Sequence, residues 1–216
     1  MQFDFSQLTP RDRYKLLVST VVPRPIALVT SMNESGLVNA APFSFFNVMG
    51  SDPAMIVIAP GNYDAQTPKD TARNIRSRGE FAVHIVDENL ALAMNICAID
   101  FPPGESEIAA AKLDLLPCEK IGVPRIAQSP VSLECREIQT LEIGRNRVVF
   151  GEVLAMHVCD DLVDVEKFYV HTEAMHAVGR MHGAGGYCTT RDMFQIPRIS
   201  YEEWRAQNNN DGETPD

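Results

Sequence analysis

No stretch of this sequence stays apolar for the roughly 18 residues that a membrane-crossing helix needs. No Cys-x-x-Cys pair occurs. The five cysteines (97, 118, 135, 159 and 188) stand singly and are odd in number, which argues against a disulfide framework and a thiolate zinc site and fits a reduced, cytoplasmic setting. The opening residues, MQFDFSQLTPRDRYK, lack the basic segment and apolar core expected of a secretory signal. Basic residues are outnumbered 29 to 19, for a formal charge of −10. That disfavours nonspecific binding to nucleic acid or an anionic membrane, whereas a small anion needs only a local basic cluster.

Three familiar signatures are also missing. There is no P-loop, and glycines 183, 185 and 186 do not form the dinucleotide-binding G-x-G-x-x-G. No G-x-S-x-G nucleophile elbow occurs. His171, His176 and His182 share no helix face, and no cysteine or carboxylate pattern completes a metal site, so surface or hydrogen-bonded histidines are the plainer reading.

What is present reads as one globular domain over residues 1–205, with a disordered tail at 206–216. TPRDRYKLLVS (9–19) predicts a first helix, capped by Thr9, with Pro10 at its first position and Asp12 three residues after the cap. IALVTS predicts a strand, MNESG a turn, and LVNAAPFSFFNVMG a return strand whose Pro42 belongs at an edge or a bulge. A strand at AMIVIAP, a helix in PKDTARNIRSRG ending at Gly79, a strand at EFAVHIVD and helices in ENLALAMNICAID and ESEIAAAK follow. VSLECREIQTLEIG and RVVFGEVLAMHVCD predict a hairpin of two long strands. Strands and helices do not alternate as in a doubly wound sheet, so an antiparallel barrel or sandwich with helices outside is expected.

Two stretches point toward a ligand. TPKD (67–70) nearly copies TPRD (9–12), so capping alone accounts for Thr67, Pro68 and Asp70. It does not account for Lys69, Thr71, Arg73, Asn74, Arg76 and Arg78, which make a cationic helix in an acidic chain. A helix start suits a phosphate, and a solvated helix face is the competing reading. PRPIALVTS and NAAPFSFFN place Thr30, Ser31, Ser44 and Asn47 among apolar neighbours, either as polar partners of a flat ligand or as core hydroxyls bonded to backbone.

In this order, PRPIALVTS, NAAPFSFFNV, KDTARNI and EFAVHIV, with the later ECREI, VVFGEVLAMHV and VGRM, resemble the flavin reductase-like proteins of the FMN-binding split-barrel fold. The resemblance implies a mainly β fold, a six-stranded antiparallel split barrel with flanking helices, forming a homodimer. It implies that Lys69, Thr71 and Asn74 hold the FMN phosphate and that Thr30 and Ser31 lie along the ribityl-phosphate tail. Ala41, Pro42, Phe43 and Ser44 would border the isoalloxazine, Arg24 would lie near the flavin or phosphate, and Arg180 would complete the pocket. The implied activity is transfer of hydride from NAD(P)H to FMN, with reduced flavin supplied to a monooxygenase. An FMN-binding electron carrier like flavoredoxin, or a barrel that has lost its flavin, are the alternatives.

Overall fold

The computed structural model describes residues 1–209 apart from Ala65, Pro103 and Ala184. Its main elements are α1 (Pro10–Thr20), β1 (Ala27–Met32), β2 (Val38–Phe43), β3 (Phe46–Ser51), β4 (Ala54–Ile58), α2 (Asp70–Arg78), β5 (Glu80–Ile85), α3 (Ala91–Ile96) and α4 (Glu107–Ala110). Short strands β6 (Leu115–Leu116) and β7 (Arg125–Ile126) precede the long strands β8 (Val131–Ile143) and β9 (Asn146–Val158). The chain ends in β10 (Val163–Asp164), β11 (Tyr169–Val170), α5 (Thr172–Met175), β12 (Val178–Arg180), β13 (Tyr187–Thr189) and α6 (Tyr201–Asn209).

Seven strands form the main sheet in the order β2-β1-β5-β8-β9-β4-β3, with antiparallel pairing throughout. The outermost strands, β2 and β3, follow one another in the chain with only Ser44 and Phe45 between them. The sheet must therefore curl until its two edges come together, which makes a barrel with an unpaired seam. This is the expected antiparallel split barrel. Its sheet carries seven strands instead of six because the chain breaks at Ser44-Phe45, dividing the predicted return strand in two. Pro42 lies on the edge strand β2, where its missing N–H costs no ladder bond on the open side.

Alternation along β1 separates two cores. Ala27 and Val29 face the barrel interior with Ile56, Ile58, Phe81, Val83 and Val149. Ile26 and Leu28 face outward, under a layer that includes Leu90 and Met94 of the α3 region. Helix α2 supplies the fully buried Ile75 to the interior cluster and so plugs the barrel. Gly151 is required for close packing, since a Cβ there would meet the Phe81 ring at 2.5 Å. Gly79, at φ +73°, ends α2 in the left-handed conformation, as the sequence predicts.

His84 ties the two layers together. Its Nε2 accepts the Ile126 N–H at 2.8 Å, which leaves the proton on Nδ1 to donate to the Leu28 carbonyl at 2.8 Å. Complete burial pushes its pKa down to about 4, so the ring is neutral near pH 7. At the C-terminus, α6 runs through the first residues of the expected tail; the remainder of that tail lies outside the described residues. Among the described residues no helix is long and apolar enough to cross a membrane.

Candidate functional site

A cavity opens where the start of α2 meets β2. Asn39, Ala41, Pro42, Phe43, Tyr63, Lys69, Thr71 and Glu107 line it, with residues 97–101 on the far side. A second cavity shares Pro42, Phe43 and Ala98 and continues past Ser44 to Tyr14, Met94, Arg180 and Tyr187. The two form one groove along the edge strand, from the helix start to the β12–β13 hairpin.

The helix start is unusual. Lys69 holds the extended N-cap conformation (φ −61°, ψ 153°), yet no side chain caps the helix. Expected cap Thr67 is drawn away: its N–H donates to Asp64 Oδ1 at 2.8 Å and its carbonyl accepts the Tyr63 N–H at 2.9 Å. The helix therefore begins at Asp70, not at Pro68. Its first N–H groups keep the partial positive charge of a helix start without a side-chain partner. Lys69 Nζ stands 5.8 Å over the Tyr63 ring, and buried Thr71 accepts a hydrogen bond from Asn39 Nδ2 at 3.1 Å.

Four carboxylates, Asp70, Asp100, Glu105 and Glu107, also line this end. Asp70 is paired with Arg73. Glu107 Oε2 accepts the Ala40 N–H at 3.0 Å, and burial pushes its pKa up against the opposing pull of backbone hydrogen bonds. The other end of the groove is lined by Arg180 and, among the described residues, by no carboxylate. The Arg180 guanidinium lies 4.6 Å from the Tyr187 ring centroid and donates to the Gly183 carbonyl at 3.1 Å.

Of the predicted residues, Ala41, Pro42, Phe43, Ser44, Lys69, Thr71 and Arg180 all line the groove. Thr30 and Ser31 do not. Thr30 donates to the Pro124 carbonyl at 2.7 Å, and Asn74 Nδ2 donates to Ser31 Oγ at 3.2 Å, locking α2 onto β1. Asn74 lines an adjoining cavity, beside Asn33 and Arg73, that shares Asn39, Asp70 and Glu105 with the first. Arg24 lies behind the groove. Its Nη1 donates to the carbonyls of Val18 (2.7 Å) and Val21 (2.9 Å), its Nη2 to Met181 (2.7 Å) and its Nε to Ser44 Oγ (3.3 Å). Burial lowers its pKa from the ordinary arginine value.

Sequence reasoning did not single out Tyr14, Tyr63, Tyr187 or Glu107. Only the fold brings these distant positions to one groove, and Glu107 carried just one signal, a carboxylate in an otherwise apolar helix.

Comparison with known proteins bears on this geometry. A family model described as flavin reductase like domain matches residues 18–179. An uncharacterized protein of Deinococcus radiodurans is 48% identical over 210 residues, covering 95% of this chain and 92% of that one. Among solved structures, 2-nitrobenzoate 2-nitroreductase NbaA of Pseudomonas fluorescens is 40% identical with a TM-score of 0.85, covering 93% of this chain and 98% of that one. Nitrilotriacetate monooxygenase component B of Bacillus cereus is 33% identical with a TM-score of 0.87, covering 91% and 98%. The family match spans most of the chain and takes in the whole edge strand and helix start that build the groove: the protein belongs to the flavin reductase-like family.

Proposed function

We propose that the groove binds FMN and that the protein is an oxidoreductase accepting hydride from NAD(P)H. One observation carries this reading: an uncapped helix start flanked by Lys69 and Thr71 opens into a groove walled by Ala41, Pro42, Phe43 and Ser44. The N–H groups of the α2 start, the Lys69 ammonium and the Thr71 hydroxyl would hold the phosphate. That attraction has to outweigh the nearby carboxylates, which Arg73 offsets in part. Pro42 and Phe43 present a flat apolar wall for the ring system, and Arg180 closes the far end. Ser31 and Asn74 serve from behind by bracing β1 against α2, and Thr30 ties β1 to Pro124.

Bound FMN would supply the redox chemistry. The chain contributes position and electrostatics, so no acid–base triad is needed. A nicotinamide that docks only transiently over the flavin needs no dinucleotide fingerprint. Delivery of reduced flavin to a partner monooxygenase is the proposed role, supported by the likeness to a monooxygenase component B. A homodimer is proposed as well; the edge strand β3 exposes Val48 and Met49, apolar surface that a second copy would cover.

A second reading has its own observation. Phe43, Tyr14, Tyr187 and Arg180 together suit an aromatic anion, and the chain is 40% identical to a nitroreductase acting on 2-nitrobenzoate. An absorbance spectrum of the purified protein with FMN, before and after NADH or NADPH, tests both. Bleaching of the flavin bands with steady nicotinamide consumption supports the reductase. Acceleration by 2-nitrobenzoate favours the second reading. Retained flavin without nicotinamide oxidation overturns hydride transfer and leaves an electron carrier; no flavin uptake sinks the cofactor assignment.

A further inference from the structure

We propose that Arg24 is a positioning residue that acts through Ser44, fixing the Ser44 hydroxyl as a hydrogen-bond donor to the flavin ring. This rests on the flavin reading above. A guanidinium can only donate. Because Arg24 Nε donates to Ser44 Oγ at 3.3 Å, the serine oxygen is the acceptor and its own hydrogen must point elsewhere. That hydrogen has no acceptor among the described residues, and Ser44 lines the groove. It is therefore free to meet a ligand bound in the groove.

Arg24 itself is held rigidly. Three backbone carbonyls, from the end of α1 and from Met181, take the other bonds named above, and its own backbone exchanges two hydrogen bonds with Arg180 at 2.9 and 2.8 Å. It is 6% exposed, and no carboxylate pairs with it among the described residues. A buried cation without a counter-ion is costly. Placed directly behind Ser44, at the end of the groove that no carboxylate lines among the described residues, it polarises the hydroxyl toward an electron-rich acceptor such as a ring carbonyl. The interaction strengthens as the ring gains negative charge on reduction, so Arg24 and Ser44 together favour the reduced cofactor.

The test is a double-mutant cycle on the FMN-loaded protein, read by FMN dissociation constant, flavin visible spectrum and midpoint potential. Ser44→Ala is expected to weaken FMN binding about tenfold, shift the visible bands and lower the potential. Ser44→Thr, which keeps the hydroxyl, restores all three. Arg24→Lys is expected to resemble Ser44→Ala, and to add less than about twofold in the Ser44→Ala background. Additive effects overturn the proposal, because Arg24 then acts independently of Ser44. Should Arg24→Lys fail to fold, the serine pair still decides: a Ser44→Ala protein with unchanged spectrum and potential overturns it. Failure of the wild-type protein to take up FMN overturns the flavin reading and this proposal with it, an outcome distinct from a flavin-bound protein with an additive cycle.

Discussion

The boxes at residues 9–12 and 67–70 differ only in Arg11 against Lys69, yet they begin their helices differently. In the first, Thr9 caps α1: its oxygen accepts the Asp12 N–H at 3.2 Å and its hydroxyl donates to Asp12 Oδ2 at 2.7 Å. In the second, Asp64 captures the Thr67 N–H, Pro68 joins an antiparallel bridge with Asn62, and the helix starts late with no side-chain cap. One helix start is closed by its own chain and the other is left open at a groove. A four-residue pattern states a local preference, and a preceding aspartate is enough to redirect it.

The comparison breaks most decisively at Lys69. Lys69→Ala is expected to weaken FMN binding roughly tenfold to a hundredfold, the loss of a charge-assisted contact worth about 1.5–3 kcal/mol. Riboflavin, which lacks the phosphate, should bind Lys69→Ala and wild type alike. Arg11→Ala, the matching change in the closed box, should alter neither affinity. Isothermal titration with both flavins checks this, and an unchanged FMN affinity removes the phosphate from the α2 start.

Lys69→Ser makes the open box resemble the closed one. A serine at an N-cap with extended backbone can accept a helix N–H, so stability to urea should rise by about 1 kcal/mol while FMN affinity falls. Such opposite movements would show that the open start is kept at a cost in stability. An unchanged urea midpoint would mean that the N–H groups already have partners.

This pair of boxes also marks what could be read in the sequence. Local features were legible: the Thr9 cap, the Gly79 stop, the long β8–β9 hairpin and the proline on an edge strand all follow from neighbouring residues. The return of β3 to the far edge of the sheet was not, because sheet order is set by contacts distant in sequence. Hydroxyl orientation was illegible on β1, where residues 27–31 are all buried and alternation says nothing about which face meets a ligand. Thr30 and Ser31 carried the polarity of ligand contacts, yet they bond the Pro124 carbonyl and Asn74. Ser44, in the two-residue link between β2 and β3, does reach the groove.

Threonine deletions separate the boxes on a smaller scale. Thr9→Ala should cost about 1 kcal/mol of stability, the usual loss of a side-chain cap. Thr67→Ala removes a hydroxyl that bonds the exposed Asp64 carboxylate instead of capping α2, and should cost less than about 0.5 kcal/mol. Parallel urea denaturation of the two variants checks the difference; equal losses would mean that Thr67 caps α2 in solution.

The smallest effect is electrostatic and belongs to the closed box. The Thr9 hydroxyl, and after it Lys15, hold the Asp12 carboxyl below its ordinary pKa. A depressed carboxylate contributes stability above its unfolded pKa, near 4, and loses that contribution as pH falls through the lower folded value. Because the Asp12 side chain is about half exposed, solvent screens the interaction, the change in overall stability should be slight and the titration itself is the better readout. Carboxyl NMR should find Asp12 titrating below the ordinary aspartate range in the wild-type protein. Thr9→Ala should raise it toward that range, and Lys15→Ala should raise it less. Thr67→Ala should leave the Asp12 curve unmoved. If Thr9→Ala also leaves it unmoved, the hydroxyl bond that closes the first box is not formed in solution, and the contrast between the two helix starts loses its physical basis.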